Sequence, residues 1–370
     1  MINRRIITLV YKEFLAIWRD KKSRFVLIIP PLIQLFIFAF AATLDVKNTS
    51  IGIWNRDEGE KGFQLIERFY HSNTFKKITY LYSEKEISSF MDNQKGVVIL
   101  SLSEQFSRDI DSGKETQVQC ILDGRKSNTA QIVFGYVTTI INQFSKDITS
   151  HYSIKPPQVE LVPRNWFNPN LLYYWFTIPG LLGVLTMLEA LIIVALSIAR
   201  ERELGTFDQL LVSPLEASDI LIGKTIPAII IGLLEGTLIL LVSTLVFRIP
   251  FTGSWIMLYL SMFIYICAII GFGLFLSSLC MTQQQAVLGT FVFMVPAVLL
   301  SGFATPIENM PQWLQYISYA NPARYFLKIA RELFLKATPI HVILLQIWPM
   351  AVIALITLTG STFFFRKRLG

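Results

Sequence analysis

Two acidic residues, Glu189 and Glu235, interrupt long apolar runs of the sequence. Glu189 precedes Arg200, and Glu235 follows Lys224, by the same number of positions. At a helical rise of about 1.5 Å per residue, each acid lies ~16 Å from the charged end of its helix, about half of a ~30 Å hydrocarbon core. Because an ionisable group is costly inside a membrane, both acids are functional candidates. We expect them to line a substrate path or exchange protons; two protonated carboxyl groups hydrogen-bonded across helices are the alternative.

The other patterns that can carry chemistry do not predict a catalytic site. Gly223-Lys224-Thr225 resembles the end of a phosphate-binding loop, but Ser218 stands where that loop needs a glycine. We therefore expect no ATP site and no cofactor on this chain. The histidines lie far apart, without metal-ligand spacing, and no Ser/His/Asp arrangement can be nominated. The sequence predicts a non-catalytic chain without a metal site.

The composition predicts a protein whose solvent is the lipid bilayer. Of its 370 residues, 53% are hydrophobic and the mean hydropathy is +0.50, whereas soluble domains hold ~45–50% apolar residues. The net charge of +7 does not indicate a nucleic-acid partner, because residues 45–170 hold equal numbers of basic and acidic residues. The excess lies in and beside the apolar runs. Only Cys120 lies outside those runs, so no disulfide is expected in the hydrophilic segment.

The apolar runs predict a membrane all-α bundle with six transmembrane helices. Residues 1–22 form an amphipathic pattern, which predicts a helix lying in the cytoplasmic membrane interface. Residues 23–44 predict the first span, with a kink or a delayed helix start at Pro30-Pro31. Residues 171–370 predict the remaining five spans, at 171–199, 225–247, 255–279, 286–303 and 340–365.

Residues 45–170, between the first two spans, predict an inserted α/β domain. Strand-like runs alternate with helical patterns that start near Gly62, Glu84 and Glu104. The predicted strands are 51–54, 78–82, 97–100 and 118–122, and a long helix is predicted over 128–148.

The distribution of basic residues predicts the orientation. With both termini in the cytoplasm, the short cytoplasmic flanks hold more Lys and Arg than the short outer loops do. This places residues 45–170 outside the cytoplasm, on a multi-pass protein of the inner, or plasma, membrane. Residues 302–339 then form an outer re-entrant and amphipathic segment, in which Asn321 caps a surface helix that begins at Pro322.

A charged hairpin, residues 200–224, joins the second and third predicted spans and contains more acidic than basic residues. Thr206 and Gln209 form the capping-box pattern of a helix start. The short helix that follows has an apolar face and a proline stop, formed by Phe207, Leu210, Leu211 and Pro214. An acidic, helix-bearing loop on a membrane protein predicts a docking surface for a soluble partner.

The run ERELGTFDQLLVSP, from Glu201 to Pro214, resembles the E-R-E-x-G-T-x-[DE]-Q-L-x-V-[ST]-P signature of ABC-2 permeases, the membrane subunits of ATP-driven exporters. The resemblance implies that a separate ATPase subunit contacts this loop and binds the ATP. It also implies two ATPase copies per transporter and pairing with a second permease copy or a related permease. The residues implied in ATPase coupling are Glu201, Arg202, Glu203, Gly205, Thr206, Phe207, Gln209, Leu210, Leu211 and Pro214.

Two further regions carry the resemblance. Residues 96–100 with 106–110, and residues 123–130, resemble the external domain that some ABC-2 permeases insert after their first span. The Asn321-Pro322 step resembles the family's end region. A large outer domain would suit transfer of cargo to a periplasmic adaptor protein.

The resulting hypothesis is a permease subunit of an exporter, in contact with lipid on its outside and with no nucleic-acid partner. Its apolar walls suit a hydrophobic drug-like or lipidic substrate. Two alternatives stay open. One is a membrane mechanotransmitter, in which ATPase motion drives the outer domain without moving a substrate. The other is a proton-coupled secondary transporter that uses Glu189 and Glu235.

Overall fold

The fold is given by a computed structural model of the chain. It describes residues 2–19, 21–41, 49–72, 74–93, 95–123, 125, 127–151, 167–168, 172–206 and 216–369. Two compact units divide the chain. The larger comprises Met1–Ala42 and Asn165–Gly370, and the smaller comprises Thr43–Arg164.

The elements are, in chain order, α1 (Ile2–Arg19), α2 (Lys21–Ala41), β1 (Thr49–Asn55), α3 (Glu60–Tyr70), β2 (Phe75–Tyr80), α4 (Glu84–Asp92), β3 (Val98–Leu102), α5 (Phe106–Asp111), β4 (Val118–Leu122), α6 (Ser127–His151), α7 (Tyr173–Glu203), α8 (Ala217–Leu241), a π-helical turn (Val242–Val246), α9 (Trp255–Leu279), α10 (Gln283–Leu299), a 3-10 turn (Ile307–Asn309), α11 (Gln312–Ser318), α12 (Pro322–Leu335) and α13 (Ile340–Leu369).

Within the described residues, four helices are long and apolar enough to cross a membrane. They are α7, α8 with its π-helical turn, α9 and α13. Two shorter apolar helical stretches, Ile28–Phe40 of α2 and Gln283–Leu299, lie where the first and fifth spans are predicted. The bundle is therefore helical as predicted, and the count of six spans stays a prediction.

Helix α2 contains the proline pair at which a kink or a delayed helix start is predicted, and the kink stays a prediction. The helix begins at Lys21 and continues through Pro30 and Pro31 to Ala41, so the helix start is not delayed to the prolines. Proline removes a backbone donor, but apolar membrane helices tolerate it because neighbouring helices and local backbone adjustments satisfy the freed groups.

The smaller unit contains a mixed four-stranded sheet in the order β2-β1-β3-β4. Strand β1 is parallel to both β2 and β3, and β4 is antiparallel to β3. The predicted strands and helix starts of this α/β segment are confirmed to within a few residues. Apolar side chains of the sheet pack with those of α3 and α6, including Ile53, Leu65 and Val133. The side of the membrane on which this unit lies stays a prediction.

A buried aspartate after β1 connects that strand end with the first turn of α5 in the smaller unit. Asp57 Oδ1 accepts a hydrogen bond from the backbone N–H of Ser107 at 3.1 Å, and the Ser107 hydroxyl donates to Asp57 Oδ2. The backbone N–H of Gly62 donates to Ser107 Oγ at 3.2 Å. A Cβ at Gly62 would lie 2.5 Å from Asp57 Oδ2, so only glycine permits this approach.

Helix α7 lies at the centre of the larger unit and packs against α8, α9, α10 and α12. The phenol ring of Tyr265 on α9 stacks on Phe326 of α12 with ring centroids 4.5 Å apart, and its hydroxyl donates to the Gly183 carbonyl of α7 at 3.0 Å. Helix α12, predicted as a surface helix, therefore has its apolar face inside the helical core. Asn321 caps it as predicted, accepting a hydrogen bond from the Ala323 N–H at 3.1 Å.

Helices α9 and α13 are in close backbone contact at Gly271. The Ser361 hydroxyl donates to the Gly271 carbonyl at 2.6 Å, and a Cβ at Gly271 would lie 2.3 Å from Thr357 Oγ1. Gly360, on α13, would place a Cβ in open space among the described residues.

Substituting these two glycines by alanine is predicted to have opposite effects. Gly271→Ala should lower the free energy of unfolding by ~1–3 kcal/mol, the usual cost of overpacking. Gly360→Ala should leave it unchanged or raise it by up to ~1 kcal/mol, because alanine favours helix more than glycine does. Unfolding of the full chain in detergent measures both, and equal stability of the two variants would contradict the packing described here.

Candidate functional site

Helix α7 ends with four consecutive charged residues, Arg200 to Glu203, followed by a well-defined helix cap. Gly205 has a φ of +69°, and its N–H donates to the Arg202 carbonyl at 3.1 Å while the Thr206 N–H donates to the Glu201 carbonyl at 3.0 Å. This is the Schellman arrangement, in which a left-handed residue, usually glycine, satisfies the last carbonyl groups of a helix. The Thr206 hydroxyl also donates to the Glu201 carbonyl, at 3.2 Å. The helix end is therefore fixed in conformation.

Glu201 is part of a buried ion network that connects α7 with α1 and α8. Lys224 Nζ lies 2.8 Å from Glu201 Oε2 and 3.0 Å from Glu13 Oε1. It also donates to Ser197 Oγ at 2.9 Å, and the Ser197 hydroxyl donates to Glu13 Oε2 at 3.0 Å. Lys12 Nζ lies 2.8 Å from Glu201 Oε1. Two cations and two anions thus balance one another.

The burial of this network is uneven. The Lys224 side chain is 3% exposed, whereas that of Lys12 is 52% exposed. A buried ammonium group loses its hydration and depends on its protein partners. A half-exposed one keeps much of its water, so its ion pair contributes little to stability. Lys224 is the group whose charge must be matched inside the protein.

Helix α1 reaches this network because α8 has a glycine at the point of contact. A Cβ at Gly223 would lie 2.8 Å from Leu9 Cβ, closer than side-chain atoms normally approach. The N-terminal helix, expected to lie in the membrane interface, therefore packs directly on α8. Gly223 and Lys224, which suggested a phosphate loop in sequence, serve this contact between helices.

Arg202 and Glu203 contact two further helices. Arg202 Nη1 donates to the carbonyl groups of Ser278 at 3.0 Å and Cys280 at 2.9 Å, where α9 ends. Glu203 Oε2 accepts from the backbone N–H of Gln283 at 2.9 Å, where α10 begins. A cation at a helix C-terminus and an anion at a helix N-terminus both complement the helix dipole. We name Lys12, Glu13, Ser197, Glu201, Arg202, Glu203 and Lys224 together the charged junction.

The structure separates the predicted coupling residues into two groups. Glu201, Arg202, Glu203, Gly205 and Thr206 are described and lie at the charged junction. The other five fall outside the described residues, and they are Phe207, Gln209, Leu210, Leu211 and Pro214. Gln209 is the predicted capping-box partner of Thr206, so that capping box also lies outside the described residues.

Sequence reasoning missed Lys12, Glu13 and Ser197. Their contacts join parts of the chain that are far apart in sequence, so no local pattern identifies them. The sequence shows only that Lys12 and Glu13 belong to an amphipathic helix next to an apolar run. That pattern does not indicate which residues they contact.

The two acids inside the apolar helices are buried and near each other. Glu189 on α7 is 4% exposed and Glu235 on α8 is 6% exposed. Their helices meet here, since Thr186 Oγ1, one turn before Glu189, lies 3.6 Å from the position that a Cβ of Gly236 would take. Among the described residues, Glu189 Oε2, both carboxyl oxygens of Glu235 and Thr186 Oγ1 have no hydrogen-bond partner. The hypothesis that both acids lie on a substrate or proton path stays a prediction.

Within the part of the chain that the structure describes, no group of three or more His, Cys, Asp and Glu side chains is arranged to hold a metal ion. Among the described residues, Cys120, Cys267 and Cys280 are not joined to one another by disulfide bonds.

Comparison with known proteins extends over nearly the whole chain. A family model described as ABC-2 family transporter protein matches residues 21–363. The chain is 42% identical over 364 residues to the "Probable multidrug ABC transporter permease YbhR" of Escherichia coli strain K12, covering 98% of this chain and 99% of the relative.

Two more relatives from the same organism are similar. One is the "Probable multidrug ABC transporter permease YbhS", 30% identical over 342 residues, which cover 90% of this chain and 89% of the relative. The other is the "Inner membrane transport permease YhhJ", 24% identical over 370 residues, which cover 99% of this chain and 98% of the relative.

The two lysines that contact Glu201 provide a matched test of the charged junction. Lys224→Met leaves Glu13 and Glu201 buried with one cation fewer, and should destabilise the protein by ~3–5 kcal/mol, as for other buried pairs that lose one partner. Lys12→Met should cost less than ~1 kcal/mol, because Lys12 is half exposed. Denaturant unfolding of the full chain in detergent compares them. A Lys12→Met variant as unstable as Lys224→Met would contradict the assignment of the buried charge.

Proposed function

Because the chain belongs to the ABC-2 family of transporter proteins, we propose that it is the permease subunit of an ATP-driven exporter. It forms the transmembrane pathway and takes its driving force from a separate ATPase subunit. The chain itself is a non-catalytic, multi-pass protein of the inner membrane.

The observation that carries this proposal is the charged junction at the end of α7. Three successive side chains each contact a different part of the helical unit. Glu201 pairs with α1 and α8 through Lys12 and Lys224, Arg202 binds the end of α9, and Glu203 binds the start of α10. A force applied to the segment after Gly205 would therefore act on several helices at once.

In the proposed mechanism, the hairpin 200–224 faces the cytoplasm and contacts the ATPase through residues 207–214. ATP binding moves this segment, and the fixed helix end at Gly205 passes the movement to the charged junction. Helices α8, α9 and α10 then shift together relative to the second permease, which opens or closes the path between the two copies. Two ATPase subunits and two permeases make up the transporter.

The substrate proposed for this pathway is a hydrophobic drug-like or lipidic compound. Apolar side chains dominate the surfaces of the membrane helices, and two of the relatives carry the word multidrug in their names. We propose that the smaller unit lies outside the cytoplasm, in line with the predicted orientation, and transfers the substrate to an external adaptor protein.

Two arginines on α7 provide a test of force transmission. Arg202→Ala frees the carbonyl groups at the end of α9, and losing hydrogen bonds from a charged group costs ~1.5–3 kcal/mol, a factor of roughly ten or more in an equilibrium. We expect the substrate moved per ATP hydrolysed to fall about ten-fold while the ATPase still binds. The exposed Arg200 is the matched control, and Arg200→Ala should leave this ratio unchanged.

The measurement uses proteoliposomes that contain the permease with its co-purified ATPase and a panel of hydrophobic drugs. Unchanged drug transport per ATP in Arg202→Ala would contradict the proposed path of force. ATP hydrolysis without any transport would favour the mechanotransmitter, and transport without the ATPase would favour the proton-coupled transporter.

A further inference from the structure

The buried acids Glu189 and Glu235 are not used by the charged junction. Within the described residues, no salt bridge includes either of them. Lys224, on the same helix as Glu235, is already held by Glu13 and Glu201 at the helix end. Buried carboxyl groups that have neither water nor a counter-charge beside them are stabilised by a bound positive group or by a proton.

A buried hydroxyl group provides a second, independent sign of a ligand. Thr186 is fully buried, lies one helical turn before Glu189 on α7, and its Oγ1 has no partner among the described residues. This oxygen lies 3.6 Å from the point where a Cβ of Gly236 would be, directly beside Glu235 in the chain. Thr186 and Glu189 thus share one face of α7, and this face meets α8 at the residue next to Glu235.

The sulfur atom of Met262 borders this region from α9. Met262 Sδ lies 2.4 Å from the position of a Gly236 Cβ, so the sulfur atom occupies the space that a side chain at position 236 would need. Methionine is flexible and polarisable, and it adapts to ligands of different shape. We name Thr186, Glu189, Glu235 and Met262 together the acidic site.

The composition of the acidic site argues against a bound metal ion. Calcium takes about six to eight oxygen ligands, and magnesium requires near-octahedral coordination. Two carboxyl groups and one hydroxyl group supply fewer oxygen atoms, and no larger cluster of ligands exists in the part of the chain described. The walls around the site are apolar helices. A monovalent organic cation fits better, because its charge pairs with the acids while its apolar body contacts the surrounding side chains.

We propose that Glu189 and Glu235 bind the positively charged group of an amphiphilic organic cation on its way through the permease. Thr186 accepts or donates a hydrogen bond beside it, and Met262 packs against its apolar body. This inference rests on the proposed function as a permease and assigns its substrate class. It also explains why two acids lie about halfway along apolar helices.

Equilibrium binding to the purified full-length permease, without any ATPase, tests the acidic site. The probe is radiolabelled tetraphenylphosphonium, and tetraphenylborate serves as a ligand of the same shape with the opposite charge. Wild type should bind the phosphonium ion at least ten-fold more tightly than the borate ion. Glu189→Gln combined with Glu235→Gln should weaken phosphonium binding at least ten-fold.

Two control variants separate charge at the site from charge elsewhere. Glu308→Gln removes the same type of acid at an exposed position of the larger unit, and should bind phosphonium within two-fold of wild type. Glu235→Asp keeps the charge and should retain more binding than Glu235→Gln. The thermal unfolding midpoint of each variant shows whether it is folded.

Several results would overturn the proposal. The first is that wild type does not bind the phosphonium ion, which is the result expected of a site that takes up protons alone. The second is equal binding of the two ions. The third is unchanged phosphonium binding by the folded double variant. If the double variant does not fold, the relative affinity of wild type for tetraphenylphosphonium and tetraphenylborate still tests the proposal. Failure to assemble with an ATPase would instead overturn the proposed function, and leaves this binding measurement unaffected.

Discussion

Lys224 carries a positive charge into a part of the protein that water hardly reaches, and three helices are arranged around it. Its ammonium group is held by Glu201 of α7, Glu13 of α1 and the hydroxyl group of Ser197. Removing a charge from water is costly unless partners replace the hydration completely. The position of α1 on α8, and of the α7 end beside both, therefore depends on keeping this network in charge balance.

The positions of Arg202 and Glu203 in the charged junction are explained by the way in which helices α7, α9 and α10 end or begin. Gly205 stops α7 in a left-handed conformation, which fixes where Arg202 and Glu203 emerge. Their opposite charges meet opposite helix ends, the C-terminus of α9 and the N-terminus of α10. Each contact satisfies backbone groups that a helix leaves without partners. One helix turn thereby connects four neighbouring helices, an arrangement suited to transmitting movement as a unit.

Local signals allowed much of the fold to be predicted from sequence. Hydropathy predicted the bounds of the apolar helix Trp255–Leu279 correctly. Alternation of apolar residues indicated the strands, and the Asn321-Pro322 step indicated a helix start. Long-range contacts were beyond such reasoning. Glu13 reaches Lys224 across most of the chain, Gly271 faces Thr357, and the burial of α12 depends on Tyr265 of another helix. The apolar face of α1 did not reveal its contact with α8 at Gly223, and its place at the membrane surface stays a prediction.

In the charged junction the buried charges are paired, whereas in the acidic site the two carboxyl groups have no salt-bridge partner among the described residues. The central claim is that Lys224 is held in place by its buried anionic partners. A double-mutant cycle on Lys224→Met and Glu201→Gln tests this claim most directly. Each single variant leaves an unmatched charge, whereas the double variant leaves Lys12 and Glu13 in balance. The account predicts an interaction energy of about 1–3 kcal/mol in unfolding, with the double variant more stable than Lys224→Met alone. Strictly additive destabilisation would contradict it.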